Sequence, residues 1–393
     1  MKDQIIKFLA YNGKISVVCC STTNLVEEAR KLHDLSPLST AAMGRVLTIT
    51  ALIGSEMKNK TDKLTIQIKG NGPIGKIVAV SDNIPNVKAC ITNPHADLPL
   101  NEFGKLDVVG NQGFINVIKD IGLKEPYIGI SPLTSGEIAE DFANYFETSE
   151  QKQTAVALGV LVDKNGVRAS GGYIISPMPD ATDEEISKIE KSIFEAGAMS
   201  KMLDQNLTLK EIAQKITGDK DVKVIDASIE PKYNCGCSKE KFAGSLVTLG
   251  EKQLKELIEE DEKAEIKCQF CNKTYQFYKE ELEEVENSDK TPNNISPIII
   301  YSLNGGITAL WFGDMETEFL EKIIDSLKIN REYFLKNEMT LIANMIGTIK
   351  DEEKSAPLKQ EYDELEKDIL AYNPAIILPH SIDNNDAVAS RRF

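Results

Sequence analysis

Apolar and polar residues alternate through the first half of the chain in short runs typical of β-strands. The run from Ile5 to Leu9 and the run from Ile15 to Cys19 flank Asn12-Gly13, a dipeptide that favours a hairpin turn. Leu64 to Ile68 alternates as a half-buried strand does. The same alternation predicts strands at Lys76 to Val80, Asn86 to Ile91 and Tyr127 to Ile130, and a second hairpin at Thr154 to Val162 and Val167 to Ile175.

Helical spacing of apolar residues separates these strands. It recurs around Leu25 and again in residues 136–146. The segment 41–54 is apolar on all sides except at Arg45, which indicates a buried core helix that is too short to span a bilayer. We therefore expect an α+β protein whose residues 1–178 form one mixed α/β domain.

The pattern changes after Pro177. Thr182 to Glu185 and Thr208 to Glu211 are capping boxes that begin charged helices, and Gly218 ends the second of these. These helices carry few large apolar residues. The segment 179–231 is therefore predicted to be a metastable helical linker, with low local stability unless it docks on another surface.

The next segment, residues 232–286, contains four of the seven cysteines, arranged as Cys235-Gly-Cys237, thirty intervening residues, and Cys268-Gln-Phe-Cys271. Two thiol pairs separated by enough chain to fold back can converge tetrahedrally on one Zn²⁺. A CxC pair can also close as a disulfide through a strained ring of roughly eleven atoms, which is readily reduced again. The spacing predicts a zinc module with a helix at 251–261 between the pairs, either as a purely structural zinc site or as a redox switch.

A polar segment, residues 287–294, separates this module from the rest of the chain. Ile298 to Leu303 and Ile307 to Phe312 flank a turn sequence rich in glycine, which predicts a hairpin, and two amphipathic helices follow. Residues 287–393 are therefore predicted to form an additional C-terminal α+β domain.

The net charge of the chain limits the classes of partner that it is expected to bind. A net charge of -16 and a pI of about 4.9 repel phosphate backbones and anionic membrane surfaces, so neither nucleic acid nor membrane is an expected partner. The N-terminal residues do not resemble a signal peptide, which favours a cytoplasmic location. Because persistent disulfides are rare in a reducing cytosol, clustered cysteines indicate a metal site or a redox sensor.

Other reactive side chains have spacings that favour structural explanations. No histidine stands in metal-ligand or triad spacing, Asp141 and its acidic neighbours read as a solvated helix face, and residues 70–75 read as a turn. Nothing assembles a nucleophile, a base and an oxyanion donor, which argues against an enzyme. Three cysteines outside the quartet are expected to be buried, and five residues near the second thiol pair are expected to pack around the site; these are Cys19, Cys20 and Cys90, and Gln269, Phe270, Tyr275, Phe277 and Tyr278.

The cysteine quartet, the acidic balance and several upstream phrases together resemble the redox-regulated molecular chaperones of the 33-kilodalton heat shock protein family. The resemblance covers residues 1–286. The phrases are Leu64 to Pro73 (LTIQIKGNGP), Ile138 to Asp141 (IAED) with Tyr145-Phe146 and Ser149 to Gln151 (SEQ), Thr154 to Val160 (TAVALGV) and Cys235 to Ser238 (CGCS).

This resemblance implies a holdase that needs no ATP and has no catalytic residues. It implies that residues 1–178 are the chaperone core and that one zinc ion is held in the reduced state by Cys235, Cys237, Cys268 and Cys271. Oxidation would pair Cys235 with Cys237 and Cys268 with Cys271, release the metal and loosen the linker. The exposed apolar surface would then hold unfolded client proteins, with a homodimer as the expected oxidised form.

Two alternatives come from other functional classes. In the first, the chain is a zinc-ribbon adaptor that binds a protein partner through its acidic surface and has no redox role. In the second, it is a thiol oxidoreductase that uses Cys268 and Cys271. The second is disfavoured because this pair lacks the βαβ setting of thioredoxin-like motifs.

Overall fold

The computed structural model describes residues 2–82, 85–96, 109–123, 126–247, 263–286, 297–301 and 307–311. The strands are β1 Gln4–Ala10, β2 Ile15–Ser21, β3 Lys63–Gly70, β4 Lys76–Asp82, β5 Asn86–Ile91, β6 Gly113–Asp120, β7 Tyr127–Pro132, β8 Ala155–Asp163, β9 Gly166–Pro177, β10 Lys223–Ile229, β11 Lys232–Tyr233, β12 Lys263–Lys267, β13 Thr274–Tyr278, β14 Pro297–Tyr301 and β15 Ile307–Trp311. The helices are α1 Thr23–His33, α2 Pro37–Gly54, α3 Ile138–Thr148, α4 Asp183–Ala196, α5 Met199–Asp204, α6 Leu209–Thr217, α7 Lys239–Val247 and α8 Lys279–Glu286.

Two sheets form the framework. One has five strands in the order β10-β1-β2-β9-β8, and the other has six in the order β11-β5-β4-β3-β6-β7. All pairs are antiparallel except β11 with β5. The predicted hairpins at β1–β2 and β8–β9 are confirmed, and Asn12 turns the first with φ +56°. The α+β class is confirmed, whereas β6, β10 and β11 were not predicted.

Helix α2 lies between the sheets and contacts strands of both. It begins four residues earlier than predicted, at Pro37, because the Ser36 side chain accepts the backbone N–H of Ser39 at 3.2 Å and caps the helix. The expectation that this helix is too short to span a bilayer is wrong, because at 18 residues it is long and apolar enough to cross a membrane; 83% of it is nevertheless buried inside the protein. It is the core helix that its composition predicted. Cys19 and Cys20, both fully buried, point into separate cores as adjacent strand residues do.

Helices α4 to α6 pack on the outer face of the five-stranded sheet. Both capping boxes are present, and Gly218 ends α6 with φ +71°. The expectation that this segment buries few large apolar residues is wrong, because its apolar side chains are spread over three short helices and share one core with the sheet. The buried members from these helices are Ile189, Ala196, Met199, Met202, Leu203, Leu209, Ile212, Ala213 and Ile216.

The cysteine module lies against the outer face of the six-stranded sheet. Val78 and Val80 of β4 share an apolar cluster with Phe242, Phe270 and Phe277 of the module. The described residues from 2 to 286 fall in one compact unit, so the predicted chaperone core, linker and module pack together. The unpredicted helix α7 follows the first thiol pair, while the helix predicted at 251–261 lies outside the described residues.

The C-terminal hairpin is present, with Ile298 opposite Leu310 in the β14–β15 pairing. The amphipathic helices predicted after it, and the C-terminal α+β domain that they would complete, lie outside the described residues.

Candidate metal and redox site

Four cysteine side chains from two loops meet at one point. Their Sγ atoms all lie within 4.8 Å of one another. The Sγ atoms of Cys235 and Cys268 are 3.4 Å apart, and those of Cys237 and Cys271 are also 3.4 Å apart. These distances are too long for a disulfide, and all four are free thiols. The structure thus brings together every residue of the quartet that the spacing singled out.

The two loops have backbone geometry that turns the thiols inward. The Cys268 N–H donates to the Lys273 carbonyl at 2.9 Å, and the Asn272 N–H donates back to the Cys268 carbonyl at 2.8 Å. Asn272 has φ +58°, in the left-handed region that asparagine tolerates. Gly236 has φ +62°, which explains the glycine between the first two cysteines.

Hydrogen bonding and burial shift the pKa values of the thiols in different directions. The hydrogen bond with the Cys235 thiol, together with the backbone N–H groups of Phe270 and Cys271, lowers the pKa of Cys268 to about 5. The same thiol hydrogen bond, with burial, raises the pKa of Cys235 well above its usual value. Burial raises the pKa of Cys271 to about 11. Of these three, Cys268 forms a thiolate most readily, and the thiolate is the form that binds metals and reacts with oxidants.

Aromatic side chains enclose the thiols. The Tyr275 hydroxyl lies 3.1 Å from the Sγ atom of Cys237 and donates to the Cys237 carbonyl, also at 3.1 Å. Phe270 and Phe277 are each 2% exposed. The predicted packing of these three aromatic residues is confirmed, and the sequence pattern gave no sign of the tyrosine's polar contact.

Two other neighbours of the second thiol pair point to solvent. Tyr278 is 53% exposed, because β13 alternates and Tyr275 and Phe277 occupy its inward face. Gln269 is exposed in the turn between the two thiols. The prediction that Tyr278 and Gln269 pack around the site is therefore wrong.

The second thiol loop docks on the N-terminal domain through polar contacts. The Phe270 carbonyl lies 3.0 Å from the His33 Nε2 atom and accepts a hydrogen bond from the Tyr233 hydroxyl. The Asn272 side chain donates to the Leu32 carbonyl at 2.6 Å. Burial lowers the pKa of His33, which favours its neutral imidazole. The loop's position is thereby tied to the end of α1.

Sequence reasoning missed His33 and Tyr233 because no local pattern signals them. His33 and Phe270 are 237 residues apart in the chain. His95 lies on the surface, with its Nε2 atom 3.8 Å from a carboxylate oxygen of the exposed Asp34, and His380 lies outside the described residues.

Asp141 departs from the sequence prediction. It is fully buried, and one carboxylate oxygen accepts the backbone N–H groups of Thr134 at 2.8 Å and Ser135 at 3.0 Å. Glu137 beside it pairs with Arg45 at 3.0 Å. The expected solvated face is therefore wrong for Asp141, which fixes the loop that leads into α3, whereas Glu140 is exposed as expected.

Cys90 and residues 70–75 lie on the six-stranded sheet, at β5 and between β3 and β4. Cys90 is half-buried rather than buried, because it faces the module and packs against its apolar cluster. Residues 70–75 form the turn between β3 and β4, as predicted.

The thiol geometry fits a tetrahedral metal centre. Four thiolates bonded to Zn²⁺ at about 2.3 Å would place their sulfur atoms about 3.8 Å apart. The separations in the quartet run from 3.4 Å in two pairs to no more than 4.8 Å. The cluster can therefore hold a metal ion with little movement.

Comparisons with known proteins agree with this architecture. The family model described as Hsp33 protein matches residues 3–278. The chain is 44% identical over 288 residues to the 33 kDa chaperonin of Clostridioides difficile, covering 72% of this chain and 99% of that protein. It is 45% identical over 285 residues to the 33 kDa chaperonin of Acetivibrio thermocellus, covering 72% of this chain and 96% of that protein.

A solved structure extends the comparison to the fold. The crystal structure of the 33 kDa chaperonin from Thermotoga maritima superposes with a TM-score of 0.66 at 37% identity, covering 73% of this chain and 98% of that one. Proteins of this kind are chaperones and not enzymes. With the family model spanning more than half of its length, the chain belongs to the Hsp33 family.

Proposed function

We propose that the chain is a redox-regulated chaperone that holds unfolding proteins without ATP once its cysteines are oxidised. The observation that carries this proposal is the convergence of four thiols, all within 4.8 Å, at a point docked on the N-terminal domain. Family membership accounts for the chaperone activity, and the thiol cluster supplies a chemical basis for its regulation.

In the reduced state, Cys235, Cys237, Cys268 and Cys271 would hold one zinc ion. Bound there, the metal would supply a cross-link between the two thiol loops, and structural zinc contributes roughly 10 to 16 kcal/mol of apparent folding free energy in small modules. The described core of the module is a single apolar cluster that it shares with the sheet. Its fold should therefore depend on that cross-link.

Oxidation by hydrogen peroxide would remove the ligands as disulfides. Two thiolates give up two electrons, one S–S bond forms, the O–O bond of the peroxide breaks, and two hydroxide ions leave. By resemblance to the family, the pairs are Cys235 with Cys237 and Cys268 with Cys271. A disulfide sulfur is a far weaker metal ligand than a thiolate, so the metal is released.

The signal would reach the linker through Tyr233. The preceding residues pair as β10 with β1, and Lys232–Tyr233 pair as β11 with β5. The Tyr233 hydroxyl bonds the Phe270 carbonyl in the second thiol loop. When this loop unfolds, Tyr233 loses that partner and keeps its hydrogen bond to the Ala89 carbonyl at 3.0 Å. The two-residue strand β11 is thereby weakened, and the β10–β1 pairing is left as the main attachment of the linker's end.

Release of the linker would expose apolar surface for unfolded clients. Helices α4 to α6 cover one face of the five-stranded sheet, and their departure uncovers large side chains that are now at most 3% exposed. These are Phe8, Ile15, Val17, Tyr173 and Ile175.

In this proposal residues 1–178 hold the client, 179–231 relay the signal and 232–286 sense the oxidant. The oxidised form acts as a homodimer in the cytoplasm, and the net charge of -16 disfavours nucleic acid as a partner. The zinc-ribbon adaptor without a redox role is the alternative. The oxidoreductase is disfavoured further because Cys268 is 4% exposed and closed to a substrate disulfide.

Light scattering of a heat-unfolded client tests the proposal. Peroxide-treated protein should suppress aggregation, reduced zinc-loaded protein should not, and reduction with added zinc should restore the inactive state. An adaptor without a redox role would behave the same in both states. Equal suppression by the two forms, or none by either, would contradict the proposal.

A further inference from the structure

Lys88 occupies an unusual place on the sheet that receives the module. On β5, its neighbours Val87 and Ala89 are fully buried in the main core, so Lys88 and Cys90 point to the opposite face. Lys88 stands opposite Val80 in the β4–β5 pairing, and Val80 belongs to the apolar cluster shared with the module. A cation thus enters an interface that is otherwise largely apolar.

The lysine contacts both thiol loops. Its Nζ atom donates to the Cys235 carbonyl at 2.9 Å and lies 4.9 Å from the centre of the Phe270 ring. Cys235 belongs to the first thiol pair, and Phe270 stands between the two cysteines of the second. One ammonium group from the N-terminal domain therefore spans the two halves of the thiol cluster.

The Lys88 ammonium can offset part of the negative charge of the metal-bound thiol cluster. Four thiolates around one divalent cation carry a net charge of about -2, and such a charge at a half-buried site is costly unless cations or hydrogen-bond donors compensate it. The Lys88 ammonium, 2.9 Å from the Cys235 carbonyl, is close enough to the cluster to offset part of this charge.

The module offers a matched comparison. Lys241 of α7 donates to the Gly236 carbonyl at 3.2 Å, so it places a second ammonium on the same loop. Lys241 belongs to the module, whereas Lys88 belongs to the sheet on which the module docks. The two residues carry the same charge and differ in the domain that supplies it.

We propose that Lys88 is a positioning residue of the thiol cluster, through which the N-terminal domain stabilises the metal-bound form and slows metal loss. The four thiolates bind the ion, and Lys88 holds the Cys235–Cys237 loop against the second loop while neutralising part of the cluster's charge. Domain docking and metal retention are then coupled directly, without the linker. This inference rests on the proposed function only in taking the quartet as a zinc site.

Zinc release from the reduced full-length protein tests the inference, measured with a chromophoric chelator for K88M, K88R and K241M. Residues that orient or support metal ligands typically change metal affinity about 10- to 100-fold. We expect K88M to lower zinc affinity and speed release by at least about tenfold, K88R to stay near the wild type, and K241M to change both much less. Hydrogen exchange at Leu64 to Ile68 should be unchanged in all three.

A second substitution separates charge from hydrogen bonding. K88Q keeps a donor for the Cys235 carbonyl without the charge, and we expect it to release zinc faster than K88R; it is also the variant to measure if K88M does not fold. Wild-type zinc affinity and release in K88M and K88Q would overturn the inference. Equal acceleration by K241M would also overturn it, because local charge alone would then explain the effect.

The zinc-release experiment on the Lys88 variants does not depend on whether the oxidised protein holds clients. If the wild-type quartet binds zinc but oxidised protein fails to hold clients, the proposed function fails while the Lys88 result stands. If K88M behaves like the wild type while oxidised protein holds clients, only the Lys88 inference fails. A wild-type quartet that binds no zinc would overturn both.

Discussion

At the residue scale, Cys268 has the environment that most clearly serves the proposed switch. It is 4% exposed, and its pKa is lowered to about 5 by the Cys235 thiol and by backbone N–H groups. The quartet itself was predictable, because the spacing of two thiol pairs is a local signal. Lys88, His33 and Tyr233 were not, since their closeness to the thiols exists only after two distant parts of the chain have folded together.

Replacing Cys268 with serine should weaken zinc binding by more than the roughly 10- to 100-fold typical of residues that only orient a ligand. Three thiolates leave the ion under-coordinated, and the described part of the module should partly unfold. Metal analysis and circular dichroism measure both effects. Cys90→Ser is the matched control and should retain zinc; full stoichiometry and native affinity in Cys268→Ser would rule out the four-ligand assignment.

Through Glu27, the free energy of unfolding should depend on pH in the acid range. The hydrogen bond from Arg30, at 2.8 Å, lowers the pKa of Glu27 from 4.5 to about 2. A depressed pKa stabilises the fold above the unfolded value, and this contribution is lost as pH falls from about 4.5 towards 2.

Because the Glu27 side chain is 21% exposed, Glu27→Gln should cost only about 1–2 kcal/mol of unfolding free energy at pH 7. Urea unfolding at pH 7 and pH 3 should show that the cost shrinks in acid. Glu28→Gln, on the exposed side of the same helix, should change stability by less than about 0.5 kcal/mol. A cost that is the same at both pH values would exclude the ion-pair explanation.

At the element scale, most strands and helix ends followed from local patterns. The capping boxes at Thr182 and Thr208 and the hairpin at Asn12 have fixed offsets between residue types, so they can be found without knowing the fold. The docking of α4 to α6 could not be found, because it depends on the opposite face of β1, β2 and β9. Strand β10, at the edge of that sheet, was hidden within the predicted linker for the same reason.

The linker should open before the two-sheet core when the cysteines are oxidised. α5 and α6 bury several apolar side chains, but α4 buries only Ile189 and Ala196, and all three helices pack on one outer face of a sheet. Leu64, Ile66 and Ile68 of β3 are at most 1% exposed in the main core. Hydrogen exchange of oxidised protein should show residues 182–218 losing protection while Leu64 to Ile68 keep it. Reduced zinc-loaded protein should protect both segments; equal protection after oxidation would contradict the relay.

At the scale of the whole molecule, the described residues from 2 to 286 pack as one unit in which the thiol module, the linker and the sheets make direct contact. The α+β class was predictable from composition and spacing. The mutual packing was not, because the module's apolar cluster is completed by Val78 and Val80, two residues on the far side of a strand that read locally as an ordinary buried run.

Deleting residues 287–393 should leave redox-dependent client holding largely intact. The family model ends at residue 278, before a polar and proline-containing boundary. Aggregation assays on the truncated protein, oxidised and reduced, provide the measurement. A folded, zinc-loaded truncation that cannot hold clients after oxidation would show that the C-terminal residues take part in the activity.

The central claim is that metal release and client holding are one event. Its most direct test follows both in the same peroxide-treated sample, with a chelator dye for zinc and light scattering of an unfolding client for activity in aliquots taken over time. The proposal predicts that zinc release and client holding rise with the same time constant. Full client holding by reduced zinc-loaded protein, or activity that rises while the zinc stays bound, would contradict it.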